Sequence, residues 1–140
     1  MVEKPTPVIH SCLIADSVFA QAQTGKWCII GAFTQIHCPN FPTMLPSLGL
    51  FLSLTDVPLG EHDVRVVFLD SNRRQLAMGP RAHIKVTDRL AQVDFGIQTQ
   101  GLPLPHAGSY LFEVQFDDQP IGDAKITVNV MPILPQGGNT

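Results

Sequence analysis

The sequence predicts an all-β protein, and the last third of the chain carries the clearest evidence. Apolar residues occupy every second position over residues 110–117, and the alternation resumes over residues 124–130 after a turn at residues 118–120. Alternation with a period of two places one strand face on a core and the other in water, so two such consecutive segments predict antiparallel strands. Clusters of turn residues recur at intervals of about 8–12 residues, which is typical of a sandwich or barrel.

The same alternation predicts six further strands before these two. Prolines at positions 39 and 42 predict a loop, because proline cannot donate to a sheet ladder. Residues 16–24 are predicted to hold a helical turn capped by Asp16. The eight strands are expected at residues 7–14, 26–37, 47–55, 63–69, 81–87, 92–99, 110–117 and 124–130.

A local motif around Tyr110 refines the fold class. Tyr110 follows Gly108 by two residues at the start of the penultimate strand, which resembles the tyrosine corner of immunoglobulin-like sandwiches. We therefore predict that Tyr110 is buried and that its hydroxyl bonds to upstream backbone. An ordinary buried tyrosine at a strand start is the alternative. We predict an immunoglobulin-like antiparallel β-sandwich of seven to nine strands, with one domain over residues 1–130 and a flexible tail over residues 131–140.

Composition limits the classes of function. The 140 residues suffice for one domain with its own core. Charged residues make up 15% of the chain, below the usual proportion, so the surface is unusually neutral or is partly covered by another chain. No apolar run is long enough to span a membrane. An odd number of cysteines without a clear secretion signal predicts reduced thiols and a cytoplasmic location.

Four short motifs resemble a known family. They read GKWCIIGAF, FP, GEHDV and AGSY, and they occupy residues 25–33, 41–42, 60–64 and 107–110. The same motifs occur in this order in a group of small bacterial proteins known only as a domain of unknown function. The resemblance implies a bacterial, single-domain β-sandwich and implies no catalytic residue.

The sequence contains no recognisable catalytic or cofactor motif. It lacks G-x-S-x-G, a glycine-rich phosphate loop and H-E-x-x-H. A small hydrolase or metal-dependent enzyme with a loop-borne site would require its scattered histidines to meet in space. These histidines are His10, His37, His62, His83 and His106.

Two groups of residues contain metal-ligating types. The first offers the nitrogen and sulfur ligands that zinc prefers: His10, Cys12, Cys28, His37 and Cys38. The second offers carboxylates for calcium: Asp117, Asp118 and Asp123. Neither group has the spacing of an established site, and free cysteines are commonly buried. We therefore expect no metal and no cofactor.

Basic residues concentrate between positions 73 and 89. This segment carries a net charge of +4 and the remaining chain −7. A basic hairpin on an acidic body could dock an acidic protein, whereas the absence of aromatic residues argues against nucleic acid. The alternative is that these charges protect an edge strand from pairing. The basic residues are Arg73, Arg74, Arg81, Lys85 and Arg89.

Three apolar residues face away from the predicted inward side of their strands: Phe51, Val67 and Leu69. They are either covered within the fold or form a patch for a partner. We predict a non-enzymatic protein-binding or assembly module that self-associates or docks another protein through a strand edge or an apolar sheet face. An extracellular adhesion module is a further alternative.

Overall fold

The structure, a computed structural model, describes residues 6–131 and confirms the all-β class. These residues contain no helix that is long and apolar enough to cross a membrane. Apart from Met131, the tail predicted over residues 131–140 lies outside the described residues. The strands are β1 (Val8–Ala20), β2 (Trp27–Ala32), β3 (Gln35–Cys38), β4 (Thr43–Thr55), β5 (Gly60–Asp70), β6 (Gln75–Met78), β7 (Ala82–Val86), β8 (Val93–Leu104), β9 (Gly108–Phe116) and β10 (Gln119–Val130).

The strands form two sheets. One sheet has the order β2-β1-β4-β8, and the other has the order β3-β10-β9-β5-β6 with β7 also paired to β5. The pairing of β3 with β10 is parallel, so the prediction of a purely antiparallel fold is wrong at that edge. The ten strands within residues 6–131 also exceed the predicted seven to nine.

One hydrophobic cluster joins the two sheets. The alternating leucines of β4 contribute one side of it, and the alternating apolar residues of β5, β9 and β10 contribute the other. Among the buried members, Leu52 and Val114 are completely removed from solvent. The period-two pattern therefore identified the inward faces of these strands correctly.

Three local predictions differ from the structure. Residues 16–20 belong to β1 rather than to a helical turn, because their partners on β2 keep the backbone extended. Residues 26–37 form two strands in different sheets, since the chain crosses between the sheets after β2. The strand β6 was not predicted, because its four residues are too few to show an alternation of apolar and polar residues.

The hairpin of β1 and β2 folds over the outer face of its own sheet. Val18 lies so close to Gly49 that a Cβ at position 49 would be 2.8 Å from the Val18 backbone nitrogen. A Cβ at Gly96 would meet Val18 and Trp27. The two glycines therefore permit the close approach that brings the Trp27 ring to 5.9 Å from that of Phe51.

Tyr110 has the surroundings predicted for it. Its side chain is fully buried, and its hydroxyl donates to the backbone carbonyl of His106 at 2.5 Å. The backbone N–H of His106 donates back to the same hydroxyl at 3.3 Å. The ring of Tyr110 also stacks on Phe68, with centroids 5.3 Å apart. Burial and upstream bonding of Tyr110 are thus confirmed.

Candidate functional site

β8 is a long edge strand that carries little charge. Its 12 residues pair with β4 on one side only. Asp94 is the single charged residue in it. Gly101, with a φ of 74°, and Pro103 interrupt the extended backbone near the end of β8, which leaves residues 93–100 without an interruption. Edge strands usually carry lysine, arginine or proline to prevent pairing with another chain, and most of β8 lacks these features.

The other edges of the two sheets are shorter or better protected. β3 has four residues and β2 has six. β6 and β7 pair with β5 one after the other, so together they form one interrupted edge, and Lys85 lies within it. Among the edges that the structure describes, β8 is therefore the one best suited to bind an additional strand.

An apolar groove, which we call the β8 groove, lies between β8 and β6. It has a volume of about 280 Å³, and its floor consists of core side chains that include Leu50, Phe68 and Phe112. Gln100 lies exposed at its rim, and Ala77 of β6, which pairs with Phe68, lines it from the other side. None of the described residues that line the groove is charged. The groove therefore offers apolar surface that continues into the core of the sandwich.

The β1–β2 hairpin holds β8 from its outer face. The Gln98 side chain accepts a hydrogen bond from the Val18 backbone N–H at 3.0 Å and donates to the Asp16 carbonyl at 3.2 Å. These bonds lie above the sheet and do not pair the free edge. They fix the position of β8, which favours a preformed binding edge.

Two of the three apolar residues predicted to contact a partner are buried within the chain. Val67 is 1% exposed and Leu69 is 6% exposed, so the expectation that they form an accessible patch is wrong. The cross-strand neighbours of Val67, which point to the same side, are Met78 and Glu113. Such neighbours shield a central strand on its outer face.

Phe51 is also partly covered by its own chain. Its side chain is half-buried, and its ring lies against that of Trp27 from the β1–β2 hairpin. The predicted patch of Phe51, Val67 and Leu69 therefore does not form one surface, because the first lies on a different sheet from the other two.

The basic segment follows the interrupted edge of β6 and β7 and does not form the expected hairpin. Arg73 forms ion pairs with Glu113 at 3.3 Å and Asp123 at 3.5 Å. Arg81 contacts Asp118 at 2.9 Å. The remaining basic residues are exposed: Arg74, Lys85 and Arg89. This placement is the one expected of charges that protect an edge strand.

A polar cluster that sequence reasoning missed lies at one end of the six-stranded sheet. Residues Asp117 and Asp118 form the β9–β10 turn with φ values of 48° and 66°, a left-handed pair that suits a two-residue hairpin. Asp117 accepts a hydrogen bond from the Asp63 backbone N–H at 2.9 Å. Across the β5–β7 pair, Asp63 contacts His83 at 3.0 Å.

The histidines of this cluster are poorly placed for catalysis. His62 Nδ1 lies 2.7 Å from Asp117, and its Nε2 lies 2.9 Å from the Pro58 carbonyl, so both ring nitrogens are engaged. His83 is exposed, and hydrogen bonds with Asp63 and then Glu61 raise its pKa. A base needs a free nitrogen facing its substrate. His62 therefore links the turn at Pro58 to the β9–β10 turn at Asp117, which is a structural role.

The candidate zinc and calcium ligands are not brought together. Within residues 6–131, no three His, Cys, Asp or Glu side chains are positioned to hold a metal ion. Cys12 pairs with Leu52 on β4, whereas Cys28 pairs with Phe19 at the hairpin tip. Burial, with a smaller contribution from Asp123, raises the pKa of Cys12 to about 11. Its thiol is therefore protonated at neutral pH and a poor nucleophile.

Comparison with protein families identifies the group to which the chain is related. A family of unknown function, DUF6941, matches residues 10–129. The chain belongs to this family. The resemblance inferred from the four motifs, to a domain of unknown function, is thereby confirmed, and membership assigns no activity. No curated protein matches the chain significantly.

Solved structures add little to this assignment. The chain is similar to the alkylpurine DNA glycosylase AlkC of Pseudomonas fluorescens bound to DNA that contains an abasic site analog, with 12% identity and a TM-score of 0.46. The similarity covers 91% of this chain and 31% of that chain, so the present chain spans about a third of its length. A TM-score at this level supports no argument about function.

Proposed function

We propose that this chain is a non-enzymatic protein-binding or assembly module that engages its partner through the edge of β8 and the β8 groove. The partner is a second copy of the chain or another protein. We place the module in the bacterial cytoplasm, in keeping with the family resemblance and the odd number of cysteines. For its fold we propose an immunoglobulin-like relationship, which the Tyr110–His106 bonds support.

The observation that carries the proposal is the coincidence of an open edge with an apolar groove. Unpaired backbone groups on β8 must otherwise bond to water, and the apolar floor of the groove remains accessible beside them. A partner that covers both would gain backbone hydrogen bonds and apolar burial at one place. Neither feature alone would distinguish β8 from an ordinary edge.

The dispersal of reactive side chains weighs against the enzyme alternative. Both nitrogens of His62 are engaged, and the Cys12 thiol is held protonated by burial. Among the described residues the three cysteines are free, whereas disulfides are common in adhesion modules. Nucleic acid would require aromatic residues among the charges, and Arg73 and Arg81 are already paired with acids of the chain.

A photocrosslinking experiment in cells of the source organism tests the proposal. A benzophenone amino acid replaces Gln100 at the rim of the groove, and adducts are compared between Ala77→Glu and Ala82→Glu backgrounds. Ala77 lines the groove and pairs with the inward-facing Phe68, whereas Ala82 is equally half-buried opposite Val64 and lies outside the groove. We expect Ala77→Glu to reduce the adduct by about tenfold or more, because a carboxylate against apolar surface loses hydration without a partner.

The matched variant separates binding from folding. Ala82→Glu should leave the adduct unchanged, since it adds the same charge at a half-buried alanine outside the groove. An equal yield of crosslinked adduct in the two glutamate variants would show that the partner does not contact the groove. If adducts form only when the benzophenone amino acid replaces Lys85, the partner binds at the edge formed by β6 and β7 and not at β8.

A further inference from the structure

We propose that the β8 groove binds an extended segment of a partner protein, which adds to β8 as a new edge strand and places alternate apolar side chains in the groove. This inference rests on the proposed function and specifies its partner. It concerns the backbone conformation and the side-chain chemistry of the bound segment.

The backbone of β8 determines the conformation of the segment. β8 pairs with β4 along one side, and the described structure places no strand on the other. A row of free N–H and C=O groups is satisfied along its length only by another extended chain. At roughly 3.3 Å per residue, the stretch before Gly101 spans about 26 Å, enough for a partner strand of ordinary length.

The groove determines the spacing of the side chains. A strand added beside β8 directs every second side chain toward the core side of the sheet, as β8 itself does with Phe95 and Ile97. These positions open onto the groove, whose volume is about 280 Å³. A cavity of about 150 Å³ accommodates benzene, so the groove holds about two apolar side chains.

The absence of charge from the groove determines the polarity of the segment. None of the described lining residues could pair with a buried Lys, Arg, Asp or Glu of the partner. A charged side chain placed there would lose its hydration without compensation. The segment therefore has apolar residues at the alternate positions that face the groove.

Two other kinds of occupant would each satisfy only one of the two features of the site, the unpaired backbone edge or the apolar groove. A second copy that paired its β8 with this β8 would cover the backbone, but its own Phe95 and Ile97 are engaged in its own core and would leave the groove unfilled. A small apolar molecule would fill the groove and leave the backbone edge unpaired. An extended segment from a partner satisfies both.

A peptide library tests this inference on the full chain. The probes are acetylated, amidated peptides of about nine residues, with Val, Leu, Ile or Phe at alternate positions and Ser or Thr between them. Binding is followed by backbone amide hydrogen exchange. We expect the best peptides to slow exchange at β8 amides by about tenfold or more, with no change in β2 or β7.

Two matched peptides examine the two requirements separately. Proline at two adjacent central positions removes a backbone donor that faces β8 in either register, because successive N–H groups point to opposite edges of a strand, and aspartate at a central apolar position places a charge in the groove. Each change should abolish the protection of β8. Equal binding of the proline peptide would exclude strand addition, and equal binding of the aspartate peptide would exclude the apolar groove as its side-chain site.

The remaining outcomes separate this inference from the proposed function. If no peptide in the library protects β8 at millimolar concentration while the Gln100 adduct is lost in Ala77→Glu, strand addition fails and the binding module stands. If the adduct is also unchanged in Ala77→Glu, both fail. Protection of β8 that rises with chain concentration alone would overturn the inference in favour of a second copy.

Discussion

Replacing Gly49 with alanine is expected to lower the free energy of unfolding by about 3 kcal/mol. The added Cβ would lie 2.8 Å from the backbone nitrogen of Val18 and equally close to Gln98 Oε1. Because one of these neighbours is backbone, no simple side-chain rotation relieves the clash. The β1–β2 hairpin must therefore shift away from the sheet and weaken the Val18–Gln98 hydrogen bond. Urea denaturation followed by fluorescence of Trp27 measures the loss.

Gly25→Ala provides the control for this prediction. A Cβ at Gly25 would meet nothing within 4 Å, but the residue has a φ of 71°. Its replacement should cost about 1 kcal/mol through backbone strain alone. If Gly49→Ala proves no more destabilising than Gly25→Ala, the hairpin is not held tightly against the sheet, and the covering of Phe51 would need another explanation.

Truncating Tyr110 to alanine is expected to destabilise the protein by about 3–5 kcal/mol. The side chain is fully buried and stacks on Phe68, and its removal leaves a cavity in the core between the sheets. The hydroxyl also joins both backbone groups of His106, so the turn before β9 loses its anchor. Thermal and urea unfolding both report the change.

Tyr110→Phe separates the hydroxyl from the ring. It retains the stacking on Phe68 and removes only the bonds to His106, so a loss of about 1 kcal/mol is expected. A Tyr110→Phe variant as unstable as Tyr110→Ala would mean that the hydroxyl, and not the packing of the ring, dominates. An unchanged variant would indicate that the turn at His106 is held by other contacts.

The sequence predicted those parts of the fold that depend on local alternation. The inward faces of β4, β5, β9 and β10 follow directly from the period of two, and the burial of Tyr110 follows from its place at a strand start. Strand order does not follow from alternation, because pairing is decided by which chain segments meet in space. The parallel pairing of β3 with β10 and the β1–β2 hairpin that covers Phe51 were therefore not predicted.

The candidate site was predictable only in part. The sequence shows that residues 93–104 contain a single charged residue. A low charge is unusual only for an edge strand, and the sequence did not predict that β8 lies at the edge of its sheet. Conversely, Val67 and Leu69 looked exposed because both residues lie opposite an inward face. They are buried because β5 is a central strand whose neighbours shield it on both sides.

Amide hydrogen exchange of the purified chain, without any partner, tests the central claim most directly. If the edge of β8 is open, its amides that do not pair with β4 should exchange quickly, while those of the central strands β4 and β9 remain protected. This pattern should be the same at low and high chain concentration. Uniform protection along β8 would contradict the account, because it would show that the edge is already covered in the free protein.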